Sequence, residues 1–124
     1  MDGTALRVAL IDDDEQQLEM YSRWLRLHDI DVLTIQSEIG AVTNKVVAFK
    51  PHVVLVDLNM PHMPGAQLIR LMRRKLPSAR YVVFSAENAE QLRRVQMETG
   101  ADGSLSKSTS PTMFIAAVKT YEDA

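Results

Sequence analysis

With 14 Lys and Arg against 16 Asp and Glu in 124 residues, the chain has the size of one domain and no global field to draw it to nucleic acid or an anionic membrane. It contains no cysteine, which excludes disulfides, thiolate metal sites and a cysteine nucleophile, and its longest apolar runs are strand-sized rather than membrane-spanning. No secretory leader pattern opens it, so the cytoplasm is the expected location.

The first apolar run, RVALI at 7–11, is too short for a helix and reads as a buried strand. Four acidic residues follow, Asp12, Asp13, Asp14 and Glu15, and then a helical stripe of Leu18, Tyr21 and Leu25. DVLTI at 31–35 predicts a second strand, with a helix on Val42, Val46 and Phe49. HVVLV at 52–56 predicts the third strand, followed by a stripe of Leu68, Leu71 and Met72. RYVVF at 80–84 predicts the fourth, followed by Leu92 and Val95 and a stop at Gly100. GSLS at 103–106 is read as a fifth strand from the rhythm of the chain. A last helix opens on Ser110 as N-cap and Pro111 in the first turn, and carries Phe114, Val118 and Tyr121.

Strand then helix, five times over, predicts a doubly wound α/β fold with a parallel sheet and helices on both faces, because each crossover returns in a right-handed sense. Neither a repeat nor a linker interrupts it, and the expectation is a single domain over 1–124 with no output domain within the chain.

In such a sheet the carboxyl ends of the strands share one edge, where ligands bind near the point at which strand order reverses. Strand one ends in Asp12 and Asp13, strand three in Asp57, strand four in Ser85 and strand five in Lys107. Three carboxylates this close repel one another by about 1 to 4 kcal/mol per pair at water-like to intermediate dielectric, which raises their pKa values unless a cation intervenes. The donors are all oxygen, with no His or Cys in the stretch, which favours a hard ion; Mg²⁺ is the expectation and Mn²⁺ a substitute. Asp14 and Glu15 are read instead as favouring the start of the first helix by capping and dipole effects.

Asp57 closes a continuously apolar strand, where a structural Asp has little to gain. A carboxylate there can attack phosphorus and form an acyl phosphate, with a metal and further donors absorbing charge. Ser85 and Lys107 are the candidate donors.

"LIDDD" at 10–14, "LVDLNMPHMPG" at 55–65, "FSA" at 84–86 and "GADGSLSK" at 100–107, in this order and spacing, resemble the receiver domain of two-component response regulators over essentially the whole chain. The resemblance implies a flavodoxin-like sheet in the order 2-1-3-4-5 and a phosphorylation-activated signalling switch with the phosphoacceptor at Asp57. It implies Mg²⁺ held by Asp12 or its bridging water, Asp13, Asp57 and the backbone carbonyl of Asn59. Ser85 and Lys107 would contact the phosphoryl group, and Asn59 and Glu87 would tune how quickly it is lost. The donor would be a histidine kinase, a phosphotransfer protein or a small phosphodonor. The output surface would be helix 4, strand 5 and helix 5, reached by movement of Ser85 and the loop opening helix 4.

Two departures stand out. The family's usual aromatic three residues before the lysine is Ser104 here, which puts the aromatic readout in doubt. Ser108 replaces the frequent proline after Lys107, so the preceding peptide is expected to be trans, or strained, since a cis bond before a non-proline costs about 2.5 to 4 kcal/mol. Elsewhere, the basic cluster Arg70, Arg73, Arg74 and Lys75 reads as a solvated helix end and Arg93 and Arg94 as candidate partner contacts. His62 reads as an ordinary loop residue rather than a phosphate relay, and Trp24, near Met20 and Leu27, as a homodimer contact or a packed margin.

The switch is not expected to be an enzyme with a separate substrate. A phosphotransferase or phosphatase acting through an aspartyl-phosphate would want a second acid two residues after Asp57, where Asn59 stands. A nucleotide-binding module would want a glycine- or hydroxyl-rich loop after strand one. A phosphorylation-independent interaction module remains the alternative, because of Ser104 and Ser108.

Overall fold

The computed structural model describes residues 5–36, 41–60 and 65–122. Its elements alternate as predicted: β1 (Arg7–Ile11), α1 (Glu15–Arg26), β2 (Asp31–Ile35), α2 (Val42–Phe49), β3 (Val53–Asp57), α3 (Gly65–Lys75), β4 (Arg80–Ser85), α4 (Ala89–Thr99), β5 (Gly103–Ser106) and α5 (Pro111–Lys119). The strands form one parallel sheet in the order β2-β1-β3-β4-β5. From β1 the chain steps outward to β2 and then back across to β3, so strand order reverses between β1 and β3.

Side chains on successive strand residues face opposite layers. Ala9 and Ile11, Val54 and Val56, and Tyr81 and Val83 pack with Val42 and Val46 of α2, Leu68, Ile69 and Met72 of α3, and Leu92 of α4. Val8 and Leu10, Val53 and Leu55, and Val82 and Phe84 pack with Leu18, Tyr21 and Leu25 of α1 and Phe114, Ile115 and Val118 of α5. Both faces are covered, which is why the central strands read as unbroken apolar runs. Each fully buried Val, Leu or Ile stabilises the fold by about 1.5 to 3 kcal/mol.

Several boundaries move. His52 precedes β3, Asp57 is its last residue, and β4 runs on to Ser85. On α3 the buried face is Leu68, Ile69 and Met72, while Leu71 is exposed. At about 3.6 residues per turn, positions 65, 68, 69 and 72 share a face whose centre lies away from 71. Tyr121 lies beyond α5 and covers the start of β5, where a Cβ on Gly103 would collide with the Tyr121 hydroxyl. That contact explains a glycine in a short strand.

The predicted caps are present. Asp14 accepts from the backbone N–H groups of Gln16 and Gln17 at 3.0 and 3.3 Å, with Glu15 in the first turn of α1. Ser110 accepts from the N–H of Met113 with Pro111 beside it, and Gly100 closes α4 at φ 73°. All described peptide bonds are trans, Lys107–Ser108 included.

The basic cluster is not uniformly solvated. Arg70, Arg74 and Lys75 are exposed, but Arg73 reaches Asp102 at 3.2 Å and the Gly100 carbonyl at 3.0 Å, and lies over the Tyr81 ring. Trp24 is half-buried, edge-on to Tyr21 and Phe114 across the α1–α5 seam, with Leu27 exposed beside it. Among the described residues no helix is long and apolar enough to cross a membrane.

Candidate functional site

Four strand ends deliver the candidate residues to one edge. Asp12 follows β1, its N–H bonded to the Ile35 carbonyl at 3.1 Å, and Asp57 closes β3. Ser85 closes β4, and Lys107 follows β5 with its N–H bonded to the Ser85 carbonyl at 2.8 Å. The ladder thus extends one residue past β1 and past β5, which fixes the backbone of Asp12 and Lys107 to the sheet. Asp12 and Asp57 flank the crevice at the β1/β3 reversal, where an open α/β sheet binds its ligand. They border a cleft of about 230 Å³ together with Asp13, Asn59, Gln17 and Lys107.

Asp12, Asp13 and Asp57 each offer a carboxylate oxygen within 4.8 Å of the others. Asp12 is 1% exposed and Asp57 3%. Lys107 Nζ lies 2.8 Å from Asp12 Oδ2 and 3.6 Å from Asp57 Oδ1. Asp12 Oδ1 also accepts the N–H of Asp14 at 3.0 Å, and Asp57 Oδ1 the N–H of Asn59 at 3.1 Å. Burial pushes the Asp57 carboxyl up to about 6; the Asn59 N–H pulls against it, the neighbouring Asp12 adds to it and Lys107 opposes it. With Asp12, Asp13 and Asp57 all ionised, the Lys107 ammonium leaves this cluster a surplus of two negative charges. A hard divalent cation matches that surplus and the all-oxygen donors, so the cluster fits a metal of this kind.

Ser85 is fully buried. Its hydroxyl oxygen accepts from Asn59 Nδ2 and from the Glu87 N–H, both at 3.3 Å. Asn59 therefore touches the site twice, holding the Asp57 carboxylate with its backbone and Ser85 with its side chain. Glu87 reaches Ser85 through its backbone, and its half-buried side chain does not border the cleft. Ser104 is half-buried in β5 opposite Val83, on the other face of the strand from Gly103 and Leu105. Arg93 and Arg94 are exposed on α4, the latter 3.9 Å from Glu90. His62 lies outside the described residues.

Two residues were missed by sequence reasoning. Gln17 Oε1 accepts from Lys107 Nζ at 2.6 Å, and the Tyr21 hydroxyl donates to the Lys107 carbonyl at 3.3 Å. Burial, and then the charge of Asp12, raise the Tyr21 pKa and keep the phenol a donor. The Phe84 ring lies 5.4 Å from the same Nζ. The available signal for Gln17 was its place in the first turn of α1, three residues after the N-cap Asp14, in a helix that opens directly from the acidic end of β1.

The family model described as "Response regulator receiver domain" matches residues 8–119. The chain is 26% identical over 118 residues to the DNA-binding transcriptional activator EvgA of Escherichia coli K12, covering 95% of this chain and 58% of that protein. It is 40% identical over 68 residues to the nitrate/nitrite response regulator protein NarL of the same strain, covering 55% of this chain and 32% of that protein. The chain thus spans a little over half the length of EvgA. Among solved structures it shares the fold of the BeF3-activated DrrB receiver domain, with TM-score 0.82, 24% identity, and 98% of this chain and all of that one covered. The same holds for chemotaxis protein CheY4 of Vibrio cholerae, with TM-score 0.83, 21% identity, and 95% and 99% covered. The chain belongs to the response regulator receiver domain family, the phosphorylation-activated switches of two-component systems.

Proposed function

We propose that Asp57 accepts the phosphoryl group in a Mg²⁺-dependent reaction with a histidine kinase, a phosphotransfer protein or a small phosphodonor. The observation that carries this reading is a buried carboxylate at the end of β3, in one cleft with two further carboxylates and a lysine. An Asp57 oxygen forms the bond to phosphorus while the bond from phosphorus to the donor breaks. When the donor is phosphohistidine, the departing imidazole nitrogen keeps the electron pair of the broken bond.

Asp57 must be ionised to attack, and its pKa of about 6 leaves it so at neutral pH. Bound Mg²⁺, or Mn²⁺ in its place, would supply positive charge for the phosphoryl oxygens, held by Asp12, Asp13, Asp57 and the carbonyl of Asn59. Lys107 brings a second positive charge to the same oxygens. The Ser85 hydroxyl, turned toward the phosphoryl group, gives up the contacts with Asn59 and Glu87 and carries the start of α4 with it. Asn59 and Glu87 set how readily water reaches the acyl phosphate.

The domain promotes its own phosphorylation and dephosphorylation in the cytoplasm, and acts on no separate substrate. Its downstream target docks on α4, β5 and α5, without direct nucleic-acid contact by this domain. With Ser104 in place of an aromatic, the readout rests on the Ser85 loop itself.

The test is incubation with acetyl phosphate, with and without Mg²⁺, followed by intact mass. One Mg²⁺-dependent phosphoryl adduct, absent from Asp57→Asn, is the expected result. An intact, Mg²⁺-binding protein that takes no phosphoryl group from acetyl phosphate or a kinase would leave the phosphorylation-independent interaction module as the better reading.

A further inference from the structure

We propose that Gln17 is a positioning residue that holds the Lys107 ammonium on the α1 side of the cleft, away from Asp57, until the phosphoryl group arrives. The Lys107 side chain is 12% exposed, so its three N–H donors depend on the protein for partners. Two strong acceptors stand on one side, Gln17 Oε1 at 2.6 Å and Asp12 Oδ2 at 2.8 Å. Asp57 Oδ1, at 3.6 Å, is within ion-pair range but outside hydrogen-bond reach.

Gln17 is built into that corner. Its backbone N–H donates to the capping carboxylate of Asp14, whose own N–H donates to Asp12 Oδ1. The two anchors of Lys107 therefore belong to one hydrogen-bonded turn, and the side chain of Gln17 borders the same cleft as Asp57.

The anchors differ in what they cost to leave. Asp12 is a buried carboxylate that holds the ammonium by charge as well as by a hydrogen bond. Gln17 offers a neutral amide oxygen at the edge of the cleft, which an ammonium surrenders more cheaply. When negative oxygens appear at Asp57, Lys107 keeps Asp12 and leaves Gln17. A contact made before transfer and lost during it stabilises the starting state more than the transition state, so Gln17 restrains the rate. The rate claim rests on Asp57 being the phosphoacceptor; the placement of Lys107 does not.

Nitrogen-15 NMR of the Mg²⁺-free, unphosphorylated protein reads the placement directly. The wild type should show a slowly exchanging Lys107 ammonium with a through-hydrogen-bond coupling to the Gln17 side-chain carbonyl, and Gln17→Met should speed that exchange. Absence of the coupling, or unchanged exchange in Gln17→Met, would overturn the positioning role whatever the kinetics show. The kinetic arm compares phosphorylation by acetyl phosphate at saturating Mg²⁺, with thermal melts confirming the fold of each variant. Gln17→Met, which keeps length but loses the acceptor, should react about threefold to tenfold faster, a part of what a hydrogen bond to a charged group is worth. Gln17→Glu, which binds the ammonium harder, should react several-fold slower, on the order of the same effect reversed. A merely structural role gives losses in both variants, and that result, or no change in either, would sink the claim. A wild type that takes no phosphoryl group would remove the phosphoacceptor reading and the rate claim together, and the NMR would still report where Lys107 sits.

Discussion

The two edges of the sheet hold similar residues in opposite electrical conditions. At the amino edge Asp102 accepts the Tyr81 N–H at 2.8 Å and pairs with Arg73, which also reaches the Gly100 carbonyl. Arg7 donates from Nε to the Lys50 carbonyl, and its backbone N–H donates to His52 Nδ1. These contacts tie strand starts to helix ends. At the carboxyl edge three carboxylates cluster, Lys107 pairs with two of them, Asp12 and Asp57, and Asp57 is held above the ordinary carboxylate range. One edge is matched and spends its charges on holding the fold; the other carries a surplus of negative charge that suits it to a cation.

The largest effect expected from this contrast is a gain of stability. Asp57→Asn removes a buried charge while leaving an oxygen to accept the Asn59 N–H. A carboxyl pKa raised from 3.8 to about 6 corresponds to about 3 kcal/mol of lost stability above pH 6. The native Asp57 carboxyl binds its proton more tightly than the unfolded one, so its contribution to wild-type stability falls as pH rises from about 4 to 6 and is level above that. Denaturant titrations should therefore show Asp57→Asn well above wild type at pH 7 and close to it near pH 4. A variant no more stable than wild type at pH 7 would mean that burying the Asp57 charge beside Asp12 costs the fold nothing.

Removing a carboxylate from the opposite edge should have the reverse sign. Asp102→Ala leaves the Tyr81 N–H without its acceptor and Arg73 without its carboxylate, at a cost of about 1 to 3 kcal/mol by chemical denaturation. Equal stabilisation at both edges would break the comparison.

The smallest effect concerns the seam between the carboxylates and Ser85. Asn59→Ala keeps the backbone donor to Asp57 but removes one of the two donors to Ser85 Oγ, at a cost of about 0.5 to 1.5 kcal/mol. Amide shifts should be confined to the β4–α4 loop around Ser85 and Glu87. Shifts spread evenly through the sheet would argue against a local tie.

Much of this was legible in the chain because the information is local. Continuous Val and Leu runs marked strands buried on both faces, and a reactive side chain at the end of each run needed only the parallel topology to meet the others. Local chemistry also identified Asp14, Gly100 and Ser110 as caps. Leu71 misled because a stripe read by spacing has an edge, and only packing tells which residues lie past it. Arg73 looked like its basic neighbours until the fold brought Asp102 and Tyr81 beneath it.

By itself the sequence determined the order of elements, the parallel sheet and the set of residues at its carboxyl edge, since periodicity and strand length are properties of neighbours in the chain. Tertiary structure alone decided which of those residues touch. That Lys107 rests on Gln17, that Asn59 holds Ser85 and that Tyr121 roofs Gly103 follow from distances between side chains far apart in the chain. Such contacts depend on how helices and loops settle on the sheet, a packing outcome that no local pattern encodes.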